Sequence, residues 1–448
     1  MPEIDGSRLG LIWIAPFVGL LLSIAVAPAV APAFWRRHFV TVSLLWAAAA
    51  LAPIAIVFGA ATMFGAVLHT LVVDYLPFII LLTTLYTVAG GIRLTGTIRG
   101  TPAANTLLLL IGSAIASFIG TTGAAMLLIR PLIRANRQRR HNTHVFVFFI
   151  ILVANIGGAL SPLGDPPLLI GFLQGVPFFW PTVHLLLPIV FSVALLLGIF
   201  YALDRHFHRR GWHDPSDGIR EIERLGIDGK VNLPLLAIVP AIVFAMGALR
   251  GVAPSLDWHH IQIEMSTVAG CLALIAIAIA SLRLTKPGVR HANAYTWHPM
   301  AEVAAVFAAI FITIVPVLAM LRAGQQGALA PLLALVAPEG KPIDAAYFWL
   351  TGGLSSVLDN APTYLVFFNL AGGDPAVLTG PAARTLVAIS AGAVLMGANS
   401  YIGNAPNLMV KAICEERGIA MPSFFGYMAW AAVILLPLYV VITLIFFR

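Results

Sequence analysis

Ser161-Pro162-Leu163-Gly164-Asp165-Pro166-Pro167 interrupts an otherwise apolar segment, and a related run, Ser400-Tyr401-Ile402-Gly403-Asn404-Ala405-Pro406, stands 239 residues further on. Over Gly157–Ile170 against Met396–Met409 six of fourteen positions are identical, among them Ser161/Ser400, Gly164/Gly403 and Pro167/Pro406. The same ungapped offset sets Ala116-Ser117-Phe118-Ile119-Gly120-Thr121-Thr122-Gly123 on Ser355-Ser356-Val357-Leu358-Asp359-Asn360-Ala361-Pro362. One offset joining two separated polar motifs reads as an internal duplication, and a repeat constrains the fold before any single element does.

Composition identifies the solvent. The 448-residue chain is 60% hydrophobic and 10% charged, with a mean hydropathy of +0.94, which excludes a soluble domain. At about 20 apolar residues per bilayer crossing, the sequence predicts an all-α polytopic membrane protein of about ten spans. They fall at 11–32, 39–60, 76–92, 145–175, 182–203, 231–250, 264–282, 300–321, 384–413 and 424–447. Leu11–Val30 is long enough to be a span itself, and no cleavable signal stands out. The net charge of +7 records topology rather than nucleic-acid binding. Cys271 and Cys414 lie far apart without metal-ligand spacing, so neither a disulfide nor a metal site is expected of them. No zinc motif, nucleophile elbow or nucleotide-binding module occurs, and Gly120-Thr121-Thr122-Gly123 lacks the Lys-Ser/Thr of a phosphate loop. An enzyme and a resident cofactor are therefore not expected.

Charge orders the loops. With the N-terminus outside, 20 of the 26 Lys and Arg fall inside, a strong positive-inside bias. The segment 103–133 is too long for one crossing and is flanked by basic residues at both ends, Arg99 and then Arg130 and Arg134. It reads as a re-entrant hairpin that enters from the cytoplasm and turns at Gly120–Gly123. Its counterpart, 345–370, turns at Leu358–Pro362 between two outside loops. Segment 145–175 runs inside to outside and 384–413 outside to inside. Both should break, because proline removes a backbone donor and glycine weakens a helix. Broken backbone at membrane depth survives only where protein or a wet cavity surrounds it. Two hairpins and two broken helices of opposite orientation make an inverted-topology repeat, the architecture of secondary transporters. The organisation expected is N-terminal spans 1–60, a first repeat 61–203, a cytoplasmic link 204–230 with a short surface helix at Arg220–Leu225, further spans 231–282, and a second repeat 283–448. Trp180, Trp297 and Trp349 read as interfacial anchors, Asp74 and Glu302 as interfacial acids, and His184 as a packing residue.

Asp165 and Asp359 are the carboxylates placed deep in the membrane, where a bare charge is costly and an acid is a functional hypothesis. The repeat pairs Asp165 with Asn404 and Asp359 with Gly120, so each half supplies one acid. Neutral oxygens cluster around them: Ser117, Thr121, Thr122 and Ser161 in the first half, and Ser356, Asn360, Thr363, Asn399, Ser400, Asn404 and Asn407 in the second. Hard cations such as Na⁺ favour oxygen ligands, which makes Asp165 and Asp359 the candidate Na⁺ ligands. Desolvation disfavours a bare carboxylate, so a buried acid holds either a proton or a cation. The competing structural readings are that the hydroxyls bond backbone carbonyls and that the two acids cap half-helices.

Gly157-Gly158-Ala159-Leu160-Ser161-Pro162-Leu163-Gly164-Asp165, Leu358-Asp359-Asn360-Ala361-Pro362 and Gly397-Ala398-Asn399-Ser400…Gly403-Asn404-Ala405-Pro406-Asn407 resemble motifs of the ion transporter superfamily. The resemblance is to its branch of D-type sodium/proton antiporters, arsenite permeases and citrate transporters, and it spans nearly the whole chain. It implies a scaffold part and a transport part in each half, a homodimer, elevator-like movement and a bacterial inner-membrane location. It matches Asp165 to the acid after Ser-Pro-hydrophobic-Gly, and Asp359-Asn360 to the Asp-Asn of the second hairpin. Two positions depart from it. Pro166-Pro167-Leu168 stand where the antiporters carry a hydroxyl-rich run, and the tips read Gly-Thr-Thr and Asp-Asn-Ala where anion carriers place Ser-Asn-Thr. The leading expectation is Na⁺ or Li⁺ exchange for H⁺ by alternating access. The alternative is cation-coupled transport of an anion such as citrate, another organic acid or arsenite.

Overall fold

The computed structural model describes residues 4–96, 98–211, 225–258 and 261–448. Among the described residues nine helices are long and apolar enough to cross a membrane, and two shorter apolar helices, Asn232–Ala248 and Ala383–Asn399, accompany them. Among the described residues sheet is confined to two short antiparallel ladders, Arg93–Thr95 with Gly226–Asp228 and Ser255–Trp258 with Ile261–Glu264. The chain is an all-α polytopic membrane protein. Arg220–Leu225 lies almost wholly outside the described residues.

The duplicated motifs fold as the sequence predicts. Thr101 caps the helix Pro102–Ile119 and Pro102 occupies its first turn, an arrangement that spends no backbone donor. Gly120 then reverses the chain in a single residue, at φ 79° and ψ 149°, a region open in practice to glycine alone. The return arm is Thr121–Asn136. The second hairpin is Asp344–Ser355 followed by Asn360–Leu370, and its wider turn lets Asp359 stand at φ −59° where the first repeat needs glycine. The first broken helix is Thr143–Leu152, a 3₁₀ turn Ile156–Leu160 and the half-helix Pro166–Leu173. The second is Ala383–Met396, a 3₁₀ turn Gly397–Asn399 and the half-helix Ala405–Glu416.

At each break the backbone crosses itself. A Cβ on Gly164 would lie 2.0 Å from the Gly158 carbonyl oxygen, and one on Gly403 would lie 2.5 Å from that of Gly397. Only glycine fits so close a crossing, which explains why these glycines recur at the repeat offset.

The hairpins and broken helices pack together with Leu186–Gly211 and Phe424–Phe446. The helices Ala15–Val30, Pro32–Phe58, Leu76–Ala89, Met265–Leu284 and His298–Thr313 form a second group among themselves. The first group carries the motifs; the second walls it along Leu76–Ala89 and Val315–Arg322.

Five expectations change. The third helical segment starts at Ala60, not 76, and runs to Ala89 through a π-helical stretch Thr70–Tyr75. Asp74 therefore sits inside a continuous helix and accepts a hydrogen bond from Gln174 Nε2 at 3.2 Å. Glu302 is likewise engaged, accepting from Trp35 Nε1 at 2.5 Å. Trp180 is buried and stacked on His184 rather than set at an interface. The helix entering the link continues past Asp204 to Gly211. Asp204 itself is fully buried and takes bonds from Arg139, from His144 Nε2 at 2.7 Å and from Asn105 Nδ2 at 3.0 Å. This network ties the base of the first hairpin to the first broken helix and to Leu186–Gly211.

Candidate functional site

The two hairpin tips dock on the two breaks through matching bonds. Thr121 N–H donates to Gly164 O at 2.8 Å, and Asn360 N–H donates to Gly403 O at 3.2 Å. Ser117 Oγ donates to Gly157 O at 2.6 Å, and Ser356 Oγ to Met396 O at 3.2 Å. Leu163 N–H reaches Ser161 Oγ at 3.1 Å as Ile402 N–H reaches Ser400 Oγ at 3.2 Å. Donor and acceptor are displaced by the repeat offset in every case, so the duplication read in the sequence is present in the hydrogen bonds.

Asp165 lies where the halves meet, with 1% of its surface exposed. Its Oδ1 accepts from Thr121 Oγ1 at 3.2 Å and from Asn404 Nδ2 at 2.9 Å. Its Oδ2 accepts from Asn360 Nδ2 at 2.6 Å. One carboxylate thus gathers the first hairpin tip, the second hairpin tip and the second break. Asp359 is half-buried and caps Asn360–Leu370, its Oδ1 accepting from Ala361 N–H at 3.1 Å. Capping and function are not alternatives here, because Asp359 also lines a cavity shared with Asp165.

That cavity measures about 120 Å³. At roughly 30 Å³ each, about four water molecules fill such a space, more than one dehydrated cation needs. Thr121, Thr122, Asp165, Asp359 and Asn404 line it, and among the described residues no lysine or arginine does. It extends along Tyr86, Met300 and Met409 toward the ends of their helices that carry the arginine-rich loops. The chain also leaves backbone donors there. Among the described residues no protein acceptor takes the N–H of Thr122, Gly123 or Ala405, three lining residues at the N-termini of Thr121–Asn136 and Ala405–Glu416. Such donors, with the positive end of the helix dipole, are an anion-binding arrangement.

The other expected site residues serve the framework. Ser161 Oγ donates to Ser117 O. Ser400 Oγ caps its own turn. Thr363 Oγ1 donates to Asp359 O at 3.0 Å, and Asn399 Nδ2 to Ser356 Oγ at 2.8 Å. Asn360 stands one layer behind the cavity wall, and its Oδ1 accepts nothing among the described residues. Sequence reading missed Asn155, which is fully buried, donates to Asn407 Oδ1 at 2.7 Å and accepts from Asn404 Nδ2 at 3.3 Å. An amide two residues before a glycine pair in an apolar helix was the available signal. It also missed Tyr439, whose hydroxyl lies 2.8 Å from Leu395 O and 3.0 Å from Asn399 Oδ1.

Over residues 6–447 the chain matches the family described as "Putative citrate transport". It belongs to that family. Two uncharacterized transporters, of Mycobacterium bovis and of Mycobacterium tuberculosis, are each 26% identical to it over 378 residues, covering 80% of this chain and 82% of theirs. The protein is therefore a multi-pass membrane transporter of the citrate-transport family, and the paired breaks, shared acids and cavity are its candidate transport site.

Proposed function

We propose that the protein moves a small organic acid of the citrate class across the membrane together with cations, by alternating access. The observation that carries this reading is a cavity that combines two aspartates with three backbone donors that have no protein acceptor and, among the described residues, no lysine or arginine. The donors at Thr122, Gly123 and Ala405 receive carboxylate oxygens. The aspartates oppose them. Two like charges 4 Å apart repel by about 4 kcal/mol at an effective dielectric of 20, so a bare polyanion is rejected beside ionised Asp165 and Asp359. Entry requires protons on the two acids, Na⁺ between them, or a divalent cation already bound to the substrate. Coupling follows from this charge balance. Asp165 and Asp359 are the residues that take the coupling ion, and Na⁺ is a candidate for it.

The same reading makes the two hairpins re-entrant, sets the N-terminus outside a bacterial inner membrane, and has the motif-bearing group slide against the other group in a homodimer. A second reading, Na⁺ or Li⁺ exchange for H⁺, is favoured by the neutral amides and hydroxyl around Asp165. Proteoliposomes separate the two. Labelled citrate uptake driven by a pH or Na⁺ gradient, with and without Mg²⁺, supports the organic-acid reading. Na⁺-driven proton movement that needs no organic acid, with no citrate uptake under any gradient, refutes it in favour of exchange.

A further inference from the structure

The return arm of the first hairpin carries a second feature beyond the cavity. Thr122 and Gly123 stand at its N-terminus, Met126 one turn on, and Arg130 a further turn on. Residues four apart share a helix face, and seven residues advance about 10 Å. Met126 packs with Tyr86 and Met300 in a buried cluster that Met409 borders. This apolar collar separates Arg130 from the cavity, since Tyr86, Met300 and Met409 also form the cavity wall.

On the far side of the collar, Arg130 Nη1 is buried and has no hydrogen-bond partner among the described residues. Arg130 also takes part in no ion pair among them. Its electrostatic neighbours are Arg417, Glu416, Tyr86 and Arg134, so positive charge outweighs negative around it. A buried guanidinium donor without an acceptor costs free energy, and the planar fork of arginine matches a carboxylate with two parallel bonds.

We infer that Arg130 is a carboxylate-docking site at the arginine-rich mouth of the cavity, distinct from the site between Asp165 and Asp359. The inference rests on the organic-acid reading above. A substrate carboxylate leaves the Thr122 and Gly123 donors, passes the methionine collar and is received by Arg130, two turns along the same helix. Arg417 adds attraction from the water side, and Glu416 opposes it, which keeps the anion from being held too long.

The experiment has two readouts on purified full-length protein. In proteoliposomes, Arg130→Gln lowers kcat/KM for citrate by about ten-fold in both directions and flattens its fall with rising salt. Arg130→Lys restores part of the rate and the salt dependence, which a packing role would not do. In detergent, citrate slows modification of Arg130 by phenylglyoxal about five-fold, read by peptide mass spectrometry, while exposed Arg36 is unaffected. If the wild type transports citrate but Arg130→Gln keeps its kcat/KM and salt dependence and citrate gives no protection, the docking site is wrong and the organic-acid reading stands. If the wild type transports no organic acid, both fall together.

Discussion

Replacing Asp165 by asparagine separates folding from transport. In the native site Asp165 accepts bonds from Asn360 Nδ2 at 2.6 Å, Asn404 Nδ2 at 2.9 Å and Thr121 Oγ1 at 3.2 Å. Asp165→Asn turns one acceptor oxygen into an NH₂ group. Placed at Oδ2, that group faces the Asn360 NH₂, donor against donor. Rotating the Asn360 amide relieves the clash, because its Oδ1 has no other partner among the described residues. Three hydrogen bonds remain, but none is charge-assisted. Losing that assistance costs about 1 kcal/mol per bond, and releasing a buried carboxylate returns several kcal/mol. Stability should therefore change by no more than about 2 kcal/mol, and thermal melting in detergent should stay close to wild type. Transport should not survive, because the amide can neither hold a cation nor exchange a proton. Uptake of labelled citrate should fall at least about 100-fold, equivalent to about 2.8 kcal/mol. A folded Asp165→Asn protein that keeps more than a tenth of the wild-type rate with the same cation dependence would refute the role given to Asp165.

Other substitutions probe separate parts of the argument. Arg139→Ala leaves buried Asp204 without its guanidinium partner, and removing one member of a buried pair costs about 3–5 kcal/mol; a melting temperature equal to wild type would show that the network at the hairpin base carries no stability. Gly164→Ala forces a Cβ onto the Gly158 carbonyl, so the protein should fail to assemble or should lose uptake, and a fully active variant would disprove the backbone crossing. Arg250 Nη1 donates to Phe172 O at 3.0 Å, joining Asn232–Ala248 and its following turn to the end of the first half-helix. Asn232–Ala248 packs on Met265–Leu284 and Leu76–Ala89 of the second group, so Arg250→Ala removes about 1.5–3 kcal/mol of a charge-assisted contact between the two groups of helices, which should shift the conformational equilibrium by about ten- to 150-fold. Labelling rates of an introduced cysteine at the cavity wall, unchanged by the substitution, would count against movement between those groups.

Much of the site is legible in the sequence. The duplication, the four helix interruptions and the candidacy of Asp165 and Asp359 each rest on a local signal: a shared offset, glycine and proline in apolar runs, acids at membrane depth. Such signals fail where a side chain's role depends on what faces it. Ser117, Ser161, Ser400, Thr363 and Asn399 looked like ion ligands by residue type, yet each bonds the framework of its own repeat. Asp74 and Glu302 looked interfacial from distance along the chain, yet each is held by a partner from another element, Gln174 and Trp35, and Trp180 is buried against His184 of its own short helix.

The sequence by itself determined that the chain lives in a bilayer, is duplicated, and interrupts its helices at corresponding places, because length, hydropathy and backbone-breaking residues act on neighbours in the chain. Only the tertiary structure decided that Asp165 and Asp359 share one cavity, that Asn155 and Asn360 support it, and that Arg130 waits beyond a methionine collar. The three partners of Asp165 are 44, 195 and 239 residues away. No local pattern encodes such pairs; they exist because packing two duplicated halves against each other leaves these polar groups no other place to satisfy their bonds.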